Sequence, residues 1–216
     1  MRELITHEWF TLFTMFGFIT IASAKYMNTT RFNDFISVIG NSKYLKIYSK
    51  DQKFIDVFDG LLFLNLVFSA SIFIFFAYSH FGSSQSFKLV PFLKLLFSVS
   101  TIIIIKTLLE RLIGSLFDID SIIDNYLFQK ITFKNYSGLL FLIANLFLLY
   151  TNSYPKIIII SVISLICLIN LIGFIASFKT HQKTINSNLF YFLLYLCALE
   201  IAPYVLLYKV ISEYNA

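Results

Sequence analysis

The chain has 216 residues, of which 58% are hydrophobic and only 13% charged, with a formal net charge of +5. A soluble domain carries about 25% charged and about 45–50% apolar residues, so a single water-surrounded core is excluded. The 17 Lys and Arg flank apolar blocks and form no separate basic face, which argues against nucleic acid as a partner.

The excess apolar residues fall in long blocks, the signature of membrane spans. No soluble domain fits between them, because the longest polar interval is Lys25–Asp59. The reading is an all-α, polytopic transmembrane helix bundle of about six spans with short amphipathic cytoplasmic helices, forming one domain over residues 1–216. Its first expected partner is the lipid bilayer. The abundance of Phe (26) and Tyr (13) reads as compositional bias and not as a function.

The first span covers 9–26, with Trp9 and Tyr26 as interfacial anchors. Ala22-Ser23-Ala24 resembles a signal-peptidase site, but the preceding Arg2, Glu3 and Glu8 do not make a basic leader, so the segment is read as a retained span. In the interval that follows, Phe32, Phe35, Ile36 and Ile39 recur at i, i+3, i+4 and i+7, which is one helical face. Thr29 or Thr30 can cap that helix and Gly40 can end it. A basic amphipathic helix beside a membrane lies on the headgroups or, alternatively, docks to a cytoplasmic partner. Ser49-Lys50-Asp51-Gln52 reads as a capping box launching the second span, 60–78.

The third span covers 89–113. Between Val90 and Phe117 the one strong breaker is Pro91, in the first turn where proline is tolerated. Such a helix measures about 42 Å against a hydrocarbon core of about 30 Å, so it tilts or projects into the cytoplasm. Asp120–Phe128 is again amphipathic, with Asp120 as its cap. The fourth span covers 131–150, with Lys134 snorkelling to the interface. The fifth covers 156–178 and the sixth 189–211.

Orientation follows from the basic residues. One set of intervals holds twelve: Lys25, Arg31, Lys43, Lys46, Lys50, Lys53, Lys106, Arg111, Lys130, Lys134, Lys179 and Lys183. The opposite side holds four, Arg2, Lys88, Lys156 and Lys209. The first set is therefore expected in the cytoplasm and both termini on the other side of a bacterial inner membrane.

The most informative side chain is Glu200, alone in the uncharged stretch Leu189–Tyr208. An ionised carboxylate near the membrane centre costs roughly 2.5–3.5 kcal/mol on insertion scales, so a cation should offset it. Lys106 is the first candidate and Arg111 the second. Lys106 and Glu110 also share a helix face at i, i+4, in the weaker Lys-before-Glu order, while Arg111 points about 140° away from Lys106. Pro203 removes a helical donor three residues after Glu200 and kinks the span. Ala198 and Ala202 form a small-xxx-small pair on the far side of that helix, which permits close approach. Glu200 reads as a register-fixing ion pair, as a proton or cation site, or as polar glue to another subunit. Asn65, Asn145 and Asn170 read as interhelical hydrogen-bonding residues.

Catalytic signals are missing from the sequence: there is no H-E-x-x-H, G-x-S-x-G or Gly-rich phosphate loop, and no acidic cluster with metal-ligand spacing. No cofactor or metal is expected. His7, His80 and His181 fall at span ends or in a loop, on different sides, and read as interfacial polar residues. Cys167 and Cys197 lie inside spans as small apolar fillers.

Three segments, Lys106–Phe117 (KTLLERLIGSLF), Phe133–Leu140 (FKNYSGLL) and Leu199–Lys209 (LEIAPYVLLYK), resemble signature segments of a family of small bacterial integral membrane proteins. That family is catalogued as a domain of unknown function. The resemblance implies a bacterial inner-membrane protein with several spans. It adds emphasis to Lys106, Arg111, Gly114, Glu200 and Pro203, and carries no mechanism.

The expectation is a non-enzymatic integral membrane subunit of a larger envelope complex, in secretion, motility or insertion machinery, with other integral membrane proteins as partners. The alternative is a small-solute or ion permease, or the substrate-binding membrane subunit of an importer, using Glu200 in the membrane.

Overall fold

Apolar blocks of 19–28 residues satisfy their own backbone donors and acceptors only as helices when no water is present. The computed structural model of the protein describes residues 2–41, 43–49, 56–81, 87–116, 120–150 and 155–187, and every regular element among them is helical. They are α1 (Arg2–Met27), α2 (Thr29–Ile36), a 3-10 turn (Ser37–Ile39), α3 (Lys43–Tyr48), α4 (Val57–Phe81), α5 (Leu89–Leu116), α6 (Asp120–Tyr150) and α7 (Pro155–Ser187).

Five of these helices contain segments long and apolar enough to cross a membrane: Trp9–Met27, Val57–Phe81, Leu89–Leu116, Ile123–Tyr150 and Pro155–Gly173. The sixth expected span, 189–211, lies outside the described residues, as do Lys50–Gln52 of the expected capping box. The bundle is all-α, and the chain reads as a multi-pass membrane protein.

Helices α1, α4 and α6 form the centre, with α7 against α6 and α5 along α4 and α6. Close approach is set by glycines. A Cβ on Gly17 of α1 would lie 2.7 Å from Leu142 Cδ1 and 3.1 Å from Asn65 Oδ1. One on Gly138 of α6 would lie 2.8 Å from the Leu66 Cα of α4, and one on Gly173 of α7 would lie 2.5 Å from the Phe133 ring. Small residues at such crossings let backbones and polar groups meet where lipid offers no hydrophobic drive for association.

Each end of the bundle has its own aromatic packing. At one end Phe10 sits 4.7 Å from the Phe87 ring and 4.9 Å from the Phe76 ring, with Phe92 and Leu149 in the same cluster. At the other, Phe32, Phe35 and Tyr44 join Phe58, Phe128 and Phe133. The phenylalanines that composition alone presented as bias thus close both ends of the bundle.

Sequence expectations for two segments are corrected here. The Phe32/Phe35 face, expected to meet headgroups or a partner, has its two rings turned inward. It packs into the chain's own bundle, with the Phe35 ring 5.7 Å from Tyr44 and 6.0 Å from Tyr136. Ile36 and Ile39, expected on the same face, are exposed, because the buried stripe runs through Arg31, Phe32, Phe35 and Val38. Asn28, not Thr29 or Thr30, caps α2, its Oδ1 accepting the Arg31 amide at 3.1 Å. Secondly, Asp120–Phe128 is no separate surface helix. It is the first part of α6, kept continuous because Ile123 packs on Gly114 and Phe128 stacks on Tyr44 at 5.7 Å.

The glycine contacts make a test. Gly138→Val presses a branched side chain on the α4 backbone and should cost about 1–3 kcal/mol, read as a lower thermal midpoint in detergent. Gly60→Ala meets nothing within 4 Å and should hold or raise stability by up to about 1 kcal/mol.

Candidate functional site

The end of the bundle that carries α2, α3 and the junction of α5 with α6 gathers most of the described charge, and its charged groups are tied together across helices. Arg31, nearly buried, pairs with Asp56 and donates from Nη2 to Asp59 Oδ2 at 2.8 Å. Its guanidinium lies 4.6 Å over the Phe58 ring and 5.1 Å from the Tyr48 ring. A planar fork between two carboxylates and two aromatic faces is arginine's particular chemistry. It clamps α2 to the start of α4, whose amide of Phe58 is also capped by Asp56 Oδ1 at 3.4 Å.

Electrostatics there follow from burial and pairing. Burial by itself would lower the affinity of the Arg31 guanidinium for its proton, but Asp56 and Asp59 reverse the shift upward. Partial burial pulls the Asp56 carboxyl up, yet the Arg31 hydrogen bond outweighs it and holds the carboxyl below its ordinary range. Burial, aided by Asp59, pushes the Tyr44 phenol well above its usual range. Tyr44 is thus neutral across physiological pH.

A second tie joins α5 to α6. Lys130 Nζ donates to Glu110 Oε1 at 2.6 Å, and Glu110 is 1% exposed. The ammonium also lies 5.5 Å from the Tyr126 ring. One residue on, Arg111 Nε meets Asp124 Oδ1 at 3.4 Å in a half-exposed pair. Gly114, one turn beyond Glu110, allows the approach: a Cβ there would sit 2.9 Å from Ile123 Cβ.

Between the two ends the apolar interior carries a polar seam. Asn145 Nδ2 donates to the Ser69 carbonyl at 2.8 Å, joining α6 to α4, and Ser69 Oγ donates to Asn65 Oδ1 at 3.2 Å. Asn170 Nδ2 reaches Ser137 Oγ at 3.1 Å, joining α7 to α6. Hydroxyls of Thr14, Thr107, Thr132 and Ser137 donate to carbonyls four residues back, which satisfies them inside an apolar helix. Asn135 is 1% exposed, and both of its amide atoms lack a hydrogen-bond partner.

The expected network of Glu200, Lys106, Glu110 and Arg111 is met only in part by the described residues. Lys106 is half-buried one turn before Glu110, whose carboxylate meets Lys130 on α6. Arg111 turns to Asp124. Glu200, Pro203, Ala198 and Ala202 lie outside the described residues. Sequence reading missed Lys130 and Asp124 as partners, and the whole Arg31 clamp. An arginine one turn before a Phe-rich face, followed by Asp56 and Asp59 at the next span, was the available signal. Among the described residues, no three His, Cys, Asp or Glu side chains gather in a way that could hold a metal ion.

The family model described as "Domain of unknown function (DUF4271)" matches residues 10–211, and the chain belongs to that family. No curated protein and no solved structure matched it.

Two expected outcomes follow from the ties. Lys130→Met leaves Glu110 buried and unpaired and should cost about 3–5 kcal/mol. The double variant Glu110→Gln/Lys130→Met should recover much of that loss, measured as a double-mutant cycle of unfolding in detergent. The second concerns acid. Asp56 is held below its unfolded pKa, so its contribution is full above about pH 4 and fades as pH falls through the lower folded value. Amide-exchange protection of α2 should therefore drop in wild type as pH falls below about 4, and drop much less in Asp56→Asn, which starts lower.

Proposed function

We propose that this chain is a non-catalytic integral membrane subunit of a larger bacterial envelope complex, such as secretion, motility or insertion machinery. The supporting observation is α5. It contains one of the two longest spans, with mean hydropathy 2.0, yet only 6% of its most apolar stretch is buried within the chain, against 50% for that of α4. It is fastened near its ends, through Phe92 at one and Glu110 with Gly114 at the other. Its middle, including Phe97, Ile102 and Ile105, points away from the bundle. Polar side chains inside the bundle join its helices to one another, a use that serves architecture more than turnover. In this reading the charged end faces the cytoplasm, because most of the Lys and Arg lie there, and the outer face of α5 meets the spans of another subunit.

A second reading, a permease for a small polar solute, is favoured by Asn135, an amide in the interior with neither polar atom bonded. A buried unpaired amide is costly unless something polar meets it.

The deciding experiment places a photo-crosslinking residue at Phe97 or Ile105 in the full chain, followed by mild extraction and mass spectrometry. A single stoichiometric membrane protein crosslinked at both positions is the expected result. A chain that extracts alone and crosslinks only to lipid overturns the subunit reading. Loss of solute uptake in an Asn135→Leu variant that still folds would then establish the second reading.

A further inference from the structure

We propose that the outward face of α2 and α3 is a binding surface for anionic phospholipid headgroups. The inference rests on the membrane spans alone and stands whether or not the chain is a subunit. Depth is the first argument. Phe35 of α2 touches Tyr136, in the fourth span, at 6.0 Å between ring centroids, and Phe58, at the start of α4, at 6.3 Å. The same cluster holds Ala24 of α1 and Ile169 of α7, both inside spans. The pair of short helices is therefore sunk among the last turns of the spans, at the level where headgroups lie, and does not stand out in the aqueous phase.

Chemistry of the outward side is the second argument. With Phe32, Phe35, Tyr44 and Leu45 turned inward, Ile36, Ile39 and Ile47 are left 46%, 39% and 43% exposed. Lys43, Lys46 and Ile47 share one face of α3 by their i, i+3 and i+4 spacing. All three are exposed, and Lys25 is exposed at the end of the neighbouring α1. Asp34 takes Lys43 Nζ at 3.2 Å, which leaves Lys25 and Lys46 to make the described part of this surface net positive. Isoleucines at the glycerol level with ammonium groups reaching the phosphates is the composition that favours an anionic leaflet. The Arg31 clamp to Asp56 and Asp59 holds the whole face in place.

The test uses the full chain in bilayer discs made from equimolar phosphatidylcholine and phosphatidylglycerol. Lipid that stays with the protein on detergent extraction is measured for wild type and for Lys25→Gln/Lys43→Gln/Lys46→Gln. Phosphatidylglycerol should outnumber phosphatidylcholine about threefold in the retained lipid of wild type and return to the supplied one-to-one ratio in the triple variant. In parallel, an environment-sensitive dye is placed on Ile47→Cys in a Cys167→Ala/Cys197→Ala background. It should emit as in an apolar interface and be quenched by a headgroup nitroxide. Equal lipid shares in wild type, or unchanged enrichment in the triple variant, overturn the proposal. A water-like, unquenched dye also overturns it and points to a protein partner on this face. Should the triple variant not fold, the wild-type lipid shares and the dye decide the question.

Discussion

The architecture depends on the contact of three helices around Asn65. Gly17 of α1 and Gly138 of α6 both press on the stretch of α4 that holds Asn65, Leu66 and Ser69. Asn145 fixes α6 against the Ser69 carbonyl one turn on. In lipid the apolar side chains gain nothing from leaving a solvent, so tight backbone approach and internal hydrogen bonds must carry association. Widening either glycine separates the groups that make those bonds. The two act together: the close approach brings the amides within reach, and the amides fix rotation and register.

Outward from that junction, among the described residues, polar ties give way to charged ones at one end. Glu110 and Lys130 hold α5 to α6, and Arg31 holds α2 to α4. Both use a buried or nearly buried group, so each fixes geometry more than it adds stability. The opposite end closes with phenylalanine rings instead. The molecule is thus electrostatically polar along its axis, consistent with the asymmetry of Lys and Arg in the sequence.

Much of this was legible beforehand, and the failures have physical reasons. Long apolar runs gave the helices because periodicity hardly matters when every face is apolar. The helix at 29–36 was legible as a helix but not in its facing. Periodicity says which residues share a face, and a rotation of one residue decides whether Ile36 or Arg31 lies inward. The local i, i+4 rule could offer Lys106 to Glu110 but could not name Lys130, twenty residues away in sequence, which makes a close contact. Such pairs depend on which helices become neighbours, which a single sequence does not state. Asn145 and Asn170 were legible because an amide in a span must find a partner. Gly17 and Gly138 were not, since no repeated small-residue spacing marks them. Glu200 and Pro203 remain sequence inferences outside the described residues.

The pairing of Glu110 with Lys130 also bears on biogenesis. Chain order delivers α5 to the insertion machinery before α6. With mean hydropathy 2.0, α5 partitions into lipid readily, whereas α6, at 1.3, brings Lys130, Lys134, Gln129 and Asn135 with it. The later helix is the weaker inserter, and the acid that neutralises its lysine is already anchored in its predecessor. The two helices are thereby suited to leave the translocon as a hairpin, with the first acting as a membrane-bound template for the second.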